Sequence, residues 1–429
     1  VAAAITPENH RVMKPDDDAS KSSGRWRGTW APLGQARFRS VWFAGALSLS
    51  CYWMVEAACA WQMRLLSGSD PFLVSLVTGT MQFTVMAVVI PAGVIADIVD
   101  RRRLILASHI WLAMMLGVIA GLLAAGRLTP WLLLALLPLL AVAQAFRMPV
   151  IGSLLVETVE RKDLGSAVAL NALGQNGSRI LGPAIAGMLI GVGGTISTLA
   201  LAAGVLVIAG AVLASAVSDG HRQSASLTWR RFASDAREER AFLARTAWKR
   251  NLLLRMGAFF ACTAAVPALL PVEFSSGGMY GSMLAIYGAG ALVTLLLLGR
   301  PLSGAAIERR AVVAQLCHAV GLVLIGLTSS TWLAAAALLL CGGSWFAVSN
   351  SLMTAAQLQL PEASRGRGLS VVYAVGMAGL ALGGPVWGFI ARHFGIGAGF
   401  ACAGLVSIGL LALTRGRSVA GPGLAESLR

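Results

Sequence analysis

Three ionisable residues stand in stretches that are otherwise apolar: Glu56, Arg147 and Arg179. Inside a membrane each such charge costs roughly 2.5–3.5 kcal/mol on insertion scales unless it is paired or hydrated. A lone acid near arginines can gain or lose a proton as its surroundings change. That chemistry is proton exchange linked to a change of state, not bond cleavage. No Ser-His-Asp set, paired carboxylates or metal-ligand cluster can be identified in the sequence. No G-x-x-x-x-G-K-[ST] run is present for nucleotide binding. Enzyme activity, a cofactor, a metal site and direct ATP drive are therefore not expected. Cys51, Cys59, Cys262, Cys317, Cys341 and Cys402 all lie in apolar runs without a CxxC pair, and read as packing residues.

The elements that hold these charges follow from composition. The chain has 429 residues, 57% hydrophobic and 12% charged, against about 25% charged in a soluble domain. There is too little polar surface to cover a soluble core of this kind, so the chain is read as an all-α integral membrane protein. Apolar runs between charged or Gly/Pro breaks predict twelve transmembrane helices, over 39–63, 71–96, 103–125, 130–156, 164–190, 194–217, 249–272, 278–299, 311–328, 331–358, 368–391 and 396–414. They group into a bundle of six over 37–217 and another over 249–417. A polar tail over 1–36, a linker over 218–248 that contains Asp235-Ala-Arg-Glu-Glu-Arg240 and reads as a surface helix, and a tail over 418–429 complete the chain.

The net charge of +15 would point to nucleic acid in a soluble protein. Here its distribution gives topology instead. With the N-terminus cytoplasmic, 28 of the 34 Lys and Arg fall on inner segments and only Arg64, Arg127 and Arg392 on outer loops. Such a bias favours an even number of spans with both termini inside. It explains the basic charge without nucleic acid.

The halves repeat two landmarks. Gly93-x-x-x-Asp97, followed by Arg101 and Arg102, closes the second helix. Gly304-x-x-x-Glu308, followed by Arg309 and Arg310, is placed at the end of the eighth. Gly182-Pro183 with Gly187 in the fifth helix is matched by Gly384-Pro385 with Gly388 in the eleventh. Paired landmarks in paired helices are the mark of internally repeated transporters. A Gly-Pro pair in mid-helix breaks one backbone bond and permits a bend or close packing.

Over about 37–417 this pattern resembles the major facilitator superfamily. Phe38-Arg39-x-x-Trp42, Asn171-Ala-Leu and Arg365-Gly-Arg367-x-x-Ser370 resemble the branch of enterobactin exporters and macrolide efflux proteins. The resemblance departs after Asp97, where Ile98 and Asp100 stand in place of a basic residue and a glycine. It implies the major facilitator fold, with two pseudo-symmetric six-helix bundles. The Gly-Asp-Arg cluster would latch the halves in one access state, although Asp97 and the arginines read equally as surface topology signals. The fifth-helix Gly-Pro motif implies export by antiport; a plain helix kink is the other reading.

In the branch an acid precedes the Trp-Met pair of the first helix. Here Tyr52 precedes Trp53-Met54 and the acid is Glu56. The branch also carries an Arg two residues after the fourth-helix Pro. Here the Arg is Arg147, before Pro149. Each charge is one turn from its expected place, on the same helix face. Glu56 and Arg147 are thus expected as a displaced functional pair, with Arg179 as the alternative partner. The first, fourth, seventh and tenth helices of the fold line the cavity. That makes Trp53, Gln144, Ser344, Trp345 and Asn350 cavity candidates, with Gln82, Asn171, Gln175 and Asn176 on flanking helices. Each polar one reads equally as an ordinary interhelical bond. Arg255 is expected to snorkel to the inner surface, and His109 and His318 to be interfacial or packing residues.

The expected function is proton-coupled export of a small amphipathic organic molecule of the drug or siderophore class, by alternating access. An importer or uniporter on the same fold is the alternative, and a non-transporting sensor or scaffold is the alternative of another class. The expected partners are a small-molecule substrate, protons and the lipid bilayer, with no nucleic acid and a monomeric state. The expected location is the cell inner membrane.

Overall fold

The computed structural model describes residues 30–160, 163–217, 247–297, 304–360 and 365–414, with some side chains within them excepted. After a short 3-10 turn over Ala31–Gly34 the chain is helical throughout. Helices α1 to α4 span Ala36–Leu66, Pro71–Ile98, Arg101–Ala124 and Pro130–Glu157. One continuous run, Leu164–Ser215, then covers 52 residues. A straight helix of that length would measure about 78 Å, well over twice the ~30 Å hydrocarbon core. It does not run straight. Gly194 has φ 72° and ψ −173°, a conformation that glycine alone adopts cheaply. The run is therefore two spans folded at that residue, α5 (164–193) and α6 (195–215).

The second half continues with α7, in two segments Ala247–Thr263 and Ala265–Glu273. Helices α8 to α12 follow at Gly277–Leu297, Gly304–Leu327, Thr331–Gln359, Arg365–Phe394 and Ile396–Leu413. Gly395, at φ 93°, turns α11 into α12, as Gly194 turns α5 into α6. Eleven described helices are long and apolar enough to cross a membrane, and counting the folded run as two gives the twelve spans expected.

The loops are written in local chemistry. Asp70 caps α2 by accepting from the Phe72 and Leu73 amides, and Pro71 occupies the first turn, where its missing N–H costs nothing. Asp100 caps α3 by accepting from the Arg103 amide at 2.9 Å. Thr129 caps α4 ahead of Pro130. Trp131 and Trp332, the second residues of α4 and α10, stand largely exposed on the face opposite the termini, where an indole suits the membrane–water boundary.

The halves are built alike. In the first, α1 packs along α5, with Trp42 Nε1 donating to Leu170 O (2.7 Å) and Ser178 Oγ to Ala46 O (2.7 Å). In the second, α7 packs along α11, with Trp387 Nε1 donating to Ala261 O (2.6 Å).

One landmark sits differently from its sequence reading. Gly304 and Glu308 lie in the first turns of α9, not at the end of the eighth helix, whereas Gly93 and Asp97 close α2. The chain breaks at Val99–Asp100 in the first half because Asp100 caps a new helix. No such break separates Glu308 from Arg309, which lie within one helix. The side chains of Gly93 and Asp97, and the expected surface helix over 218–246, lie outside the described residues.

Candidate functional site

The Gly-Pro helices make the junction between the halves. Gly182 on α5 faces α1, where an added Cβ would stand 2.9 Å from Trp53 Cβ. One turn on, Gly187 meets Gly281 of α8, backbone against backbone. On α11, Gly383 meets Ala261 of α7, and Gly388 meets Ser75 and Pro71 of α2. Gly281 and Ser75 are each the fifth residue of their helix, so the two crossings are related by the internal symmetry. A Cβ added at Gly384 would stand 3.3 Å from Ser75 O, and Pro385 packs on Gly79 of α2. Small residues let these backbones meet, which is how membrane helices gain packing without a hydrophobic drive.

Toward the face opposite the termini, further contacts close the halves. Trp61 stacks on Tyr280 (5.4 Å, 12°). Phe72 meets Phe389 edge-on. Arg392 pairs with Asp70 at 3.5 Å. At the termini face the pairs that can be named join helices of one half: Arg101 with Glu157, Arg255 with Glu308, and Arg310 with Asn350 and Ser351.

Between these levels lies a cavity of about 120 Å³ to which both halves contribute. Its polar side is Glu56, Gln82, Thr78 and Arg179; its aromatic side is Trp53, Phe260, Tyr280, Tyr287 and Trp345. Glu56 is the twenty-first residue of α1, about 30 Å along it. It is 6% exposed and accepts from Gln82 Nε2 at 3.0 Å. Trp53 Nε1 and Thr263 Oγ1 also line the cavity and have no partner among the described residues. Unmet donors and acceptors at an apolar wall are what a ligand or ordered water satisfies.

Arg179 closes the cavity on its termini side. Its Nη2 donates to Tyr373 OH of α11 at 2.9 Å. Its guanidinium lies over the Trp53 ring at 5.1 Å and the Tyr373 ring at 5.6 Å. A narrow cavity beyond it, lined by Tyr52, Gln82, Gln144, Gln175, Arg179 and Tyr373, leads toward the termini face.

The expected pair is divided in this structure. Glu56 bonds Gln82, whereas Arg147 Nη2 donates to Ser48 O at 3.0 Å. Ser48 lies two turns from Glu56, about 12 Å along α1. Of the two arginines, Arg179 shares the cavity with Glu56. The sequence reading had no measure of the helices' relative axial shift. Among the cavity candidates, Trp53 and Trp345 line the central cavity. Gln144 lines the passage. Ser344 is buried in α10 outside the central cavity lining. Asn350 accepts from Arg310 Nη2 at 3.0 Å near the termini face. Asn171 and Gln175 line a third cavity with Arg147.

Arg255 does not snorkel. It is 3% exposed and ion-paired with Glu308 of α9, which places its charge on a partner instead of at the surface. Arg309 is exposed in α9 and Arg102 exposed in α3. His109 is a satisfied buried residue, between Ser48 Oγ (2.8 Å) and Ile105 O (2.8 Å). His318 packs edge-on to Phe259.

Tyr280, Tyr287 and Tyr373 were missed as site residues. A signal was there: the chain has four tyrosines, and all of them line the central cavity or its passage.

Twelve spans in two like halves around a shared midplane cavity define a membrane transporter of the major facilitator type. The solved structures agree in fold. A point-substituted nucleoside transporter NupG superposes with TM-score 0.71 at 12% identity, covering 88% of this chain and 98% of that one. A POT family transporter in complex with 5-aminolevulinic acid gives 0.68 at 13%, covering 88% and 94%. A bacterial homologue of the human lysosomal transporter Spinster, inward-facing and unoccupied, gives 0.66 at 14%, covering 88% and 93%. No curated protein sequence matches the chain. The family is shown by residues 27–419, which match the transmembrane secretion effector model. The chain belongs to that family, and is a multi-pass membrane protein of a class that transports and in general does not catalyse.

Proposed function

We propose that the chain is a secondary active exporter of a small amphipathic organic molecule, driven by proton entry through alternating access. The observation that carries this reading is the placement of Glu56 and Arg179 on one cavity shared by both halves. A buried acid and a cation on one cavity between the halves link three events: proton uptake, substrate binding and movement of one half on the other. The aromatic wall beside that charged pair fits a molecule with an apolar body and a polar end. With both termini cytoplasmic, the face closed by Trp61–Tyr280, Phe72–Phe389 and Asp70–Arg392 is the outer one. The inner membrane and a monomeric transporter complete the reading.

The test is substrate-triggered proton movement in proteoliposomes, over a panel of siderophores, macrolides and lipophilic cations. Proton movement opposite in direction to the movement of one class of substrate supports antiport. Substrate flux without any proton movement supports the uniporter reading, in which Arg179 balances Glu56 permanently.

A further inference from the structure

Arg147 is the largest side chain among the most fully buried, at 2% exposure. Among the described residues its one hydrogen-bond partner is Ser48 O, and its Nε and Nη1 have none. Among the described residues no carboxylate stands within ion-pair distance of it. Ser48 is itself occupied, Oγ with His109. An uncompensated guanidinium in the membrane interior is strongly unfavourable, and an arginine keeps its charge. Either water or negative charge must compensate it, and only the latter neutralises it.

The surroundings are arranged to receive it. Arg147 lines a cavity of about 60 Å³ between α1, α4 and α5. The amides of Gln144, Asn171 and Gln175 line the same space, and Gln144 Oε1 has no partner. Amide groups turn to offer N–H to an anion, and their orientation follows the network. The remaining wall is apolar, formed by residues such as Leu49, Met148 and Ile151. This cavity does not include Glu56 or Arg179.

We propose that this cavity is an anion site, in which Arg147 and the amides of Gln144, Asn171 and Gln175 hold a small anion: a free halide, or a carboxylate carried by the transported molecule. A planar guanidinium with two free donors suits a carboxylate bidentately and a halide by shared donation. The site is separate from the proton-coupling reading and stands whichever way transport runs.

The test uses the purified full chain, with thermal unfolding followed by tryptophan fluorescence. Sodium chloride and sodium acetate are titrated against sodium gluconate, too large for the cavity, at fixed ionic strength. Wild type is expected to gain stability saturably with chloride or acetate. Arg147→Gln is expected to lose that gain while being no less stable than wild type in gluconate, since a buried uncompensated cation has gone. Asn171→Ala is expected to raise the half-saturating concentration about tenfold, the loss of one charge-assisted hydrogen bond. If Arg147→Gln does not survive purification, Arg147→Lys, which loses the planar fork, should show a weakened gain. Saturation by chloride identifies a free inorganic anion; saturation by acetate alone identifies a carboxylate from the substrate. No specific gain with either salt, or an undiminished gain in the Arg147 variants, would overturn the proposal.

Discussion

Arg179 on α5 donates to the Tyr373 hydroxyl on α11 at 2.9 Å, so one hydrogen bond spans the halves just where the central cavity narrows. The same guanidinium covers Trp53 of α1. Tyr373→Phe removes the acceptor and keeps the ring. A bond to a charged group contributes about 1.5–3 kcal/mol, enough to move a two-state balance more than tenfold. Spin labels at Arg127→Cys and Ser329→Cys, on exposed loops of opposite halves, should then show a larger share of long distances. An unchanged distribution would mean that the bond persists in both states.

The crossing of α5 and α8 leaves no room for a methyl group at Gly187 or Gly281. Alanine at either position forces two backbones apart, with an overpacking cost of about 1–3 kcal/mol or more. Both variants should unfold at lower temperature than wild type. Gly117→Ala is the control, because nothing lies within 4 Å of its added Cβ; it should be neutral or gain up to about 1 kcal/mol of helix propensity. Equal behaviour of the three would count against the crossing.

Asp70 has two roles that substitution can separate. It caps α2 through the Phe72 amide at 2.9 Å, and it pairs with Arg392 across the halves at 3.5 Å. Arg392 is half exposed, so the pair is worth roughly 0–1 kcal/mol, whereas a lost cap costs about 1 kcal/mol. Arg392→Gln should scarcely alter the melting temperature and Asp70→Ala should lower it. The reverse order would mean that the ion pair stabilises the protein more than the cap does.

Much of the fold was legible because membrane solvation writes itself into composition. Long apolar runs and the Gly-Pro pairs marked the spans and the crossing helices. The link between Arg179 and Tyr373 was not legible, since Tyr373 sits in no motif and the contact depends on how the two halves dock. The expected pairing of Glu56 with Arg147 failed for the same kind of reason. Helical periodicity fixes which face a residue takes, not how far one helix is shifted along its neighbour. The repeat at Gly304–Glu308 misled because four spaced residue types matched although Gly304 and Glu308 lie at the start of a helix and Gly93 and Asp97 at the end of one.

The most direct measurement of the central claim compares wild type with Glu56→Gln in proteoliposomes, once a substrate is in hand. Two readouts are taken, substrate exchange without a gradient and accumulation against a gradient when an opposing pH difference is imposed. The account predicts that Glu56→Gln exchanges substrate but no longer accumulates it. Accumulation by Glu56→Gln equal to wild type would contradict it.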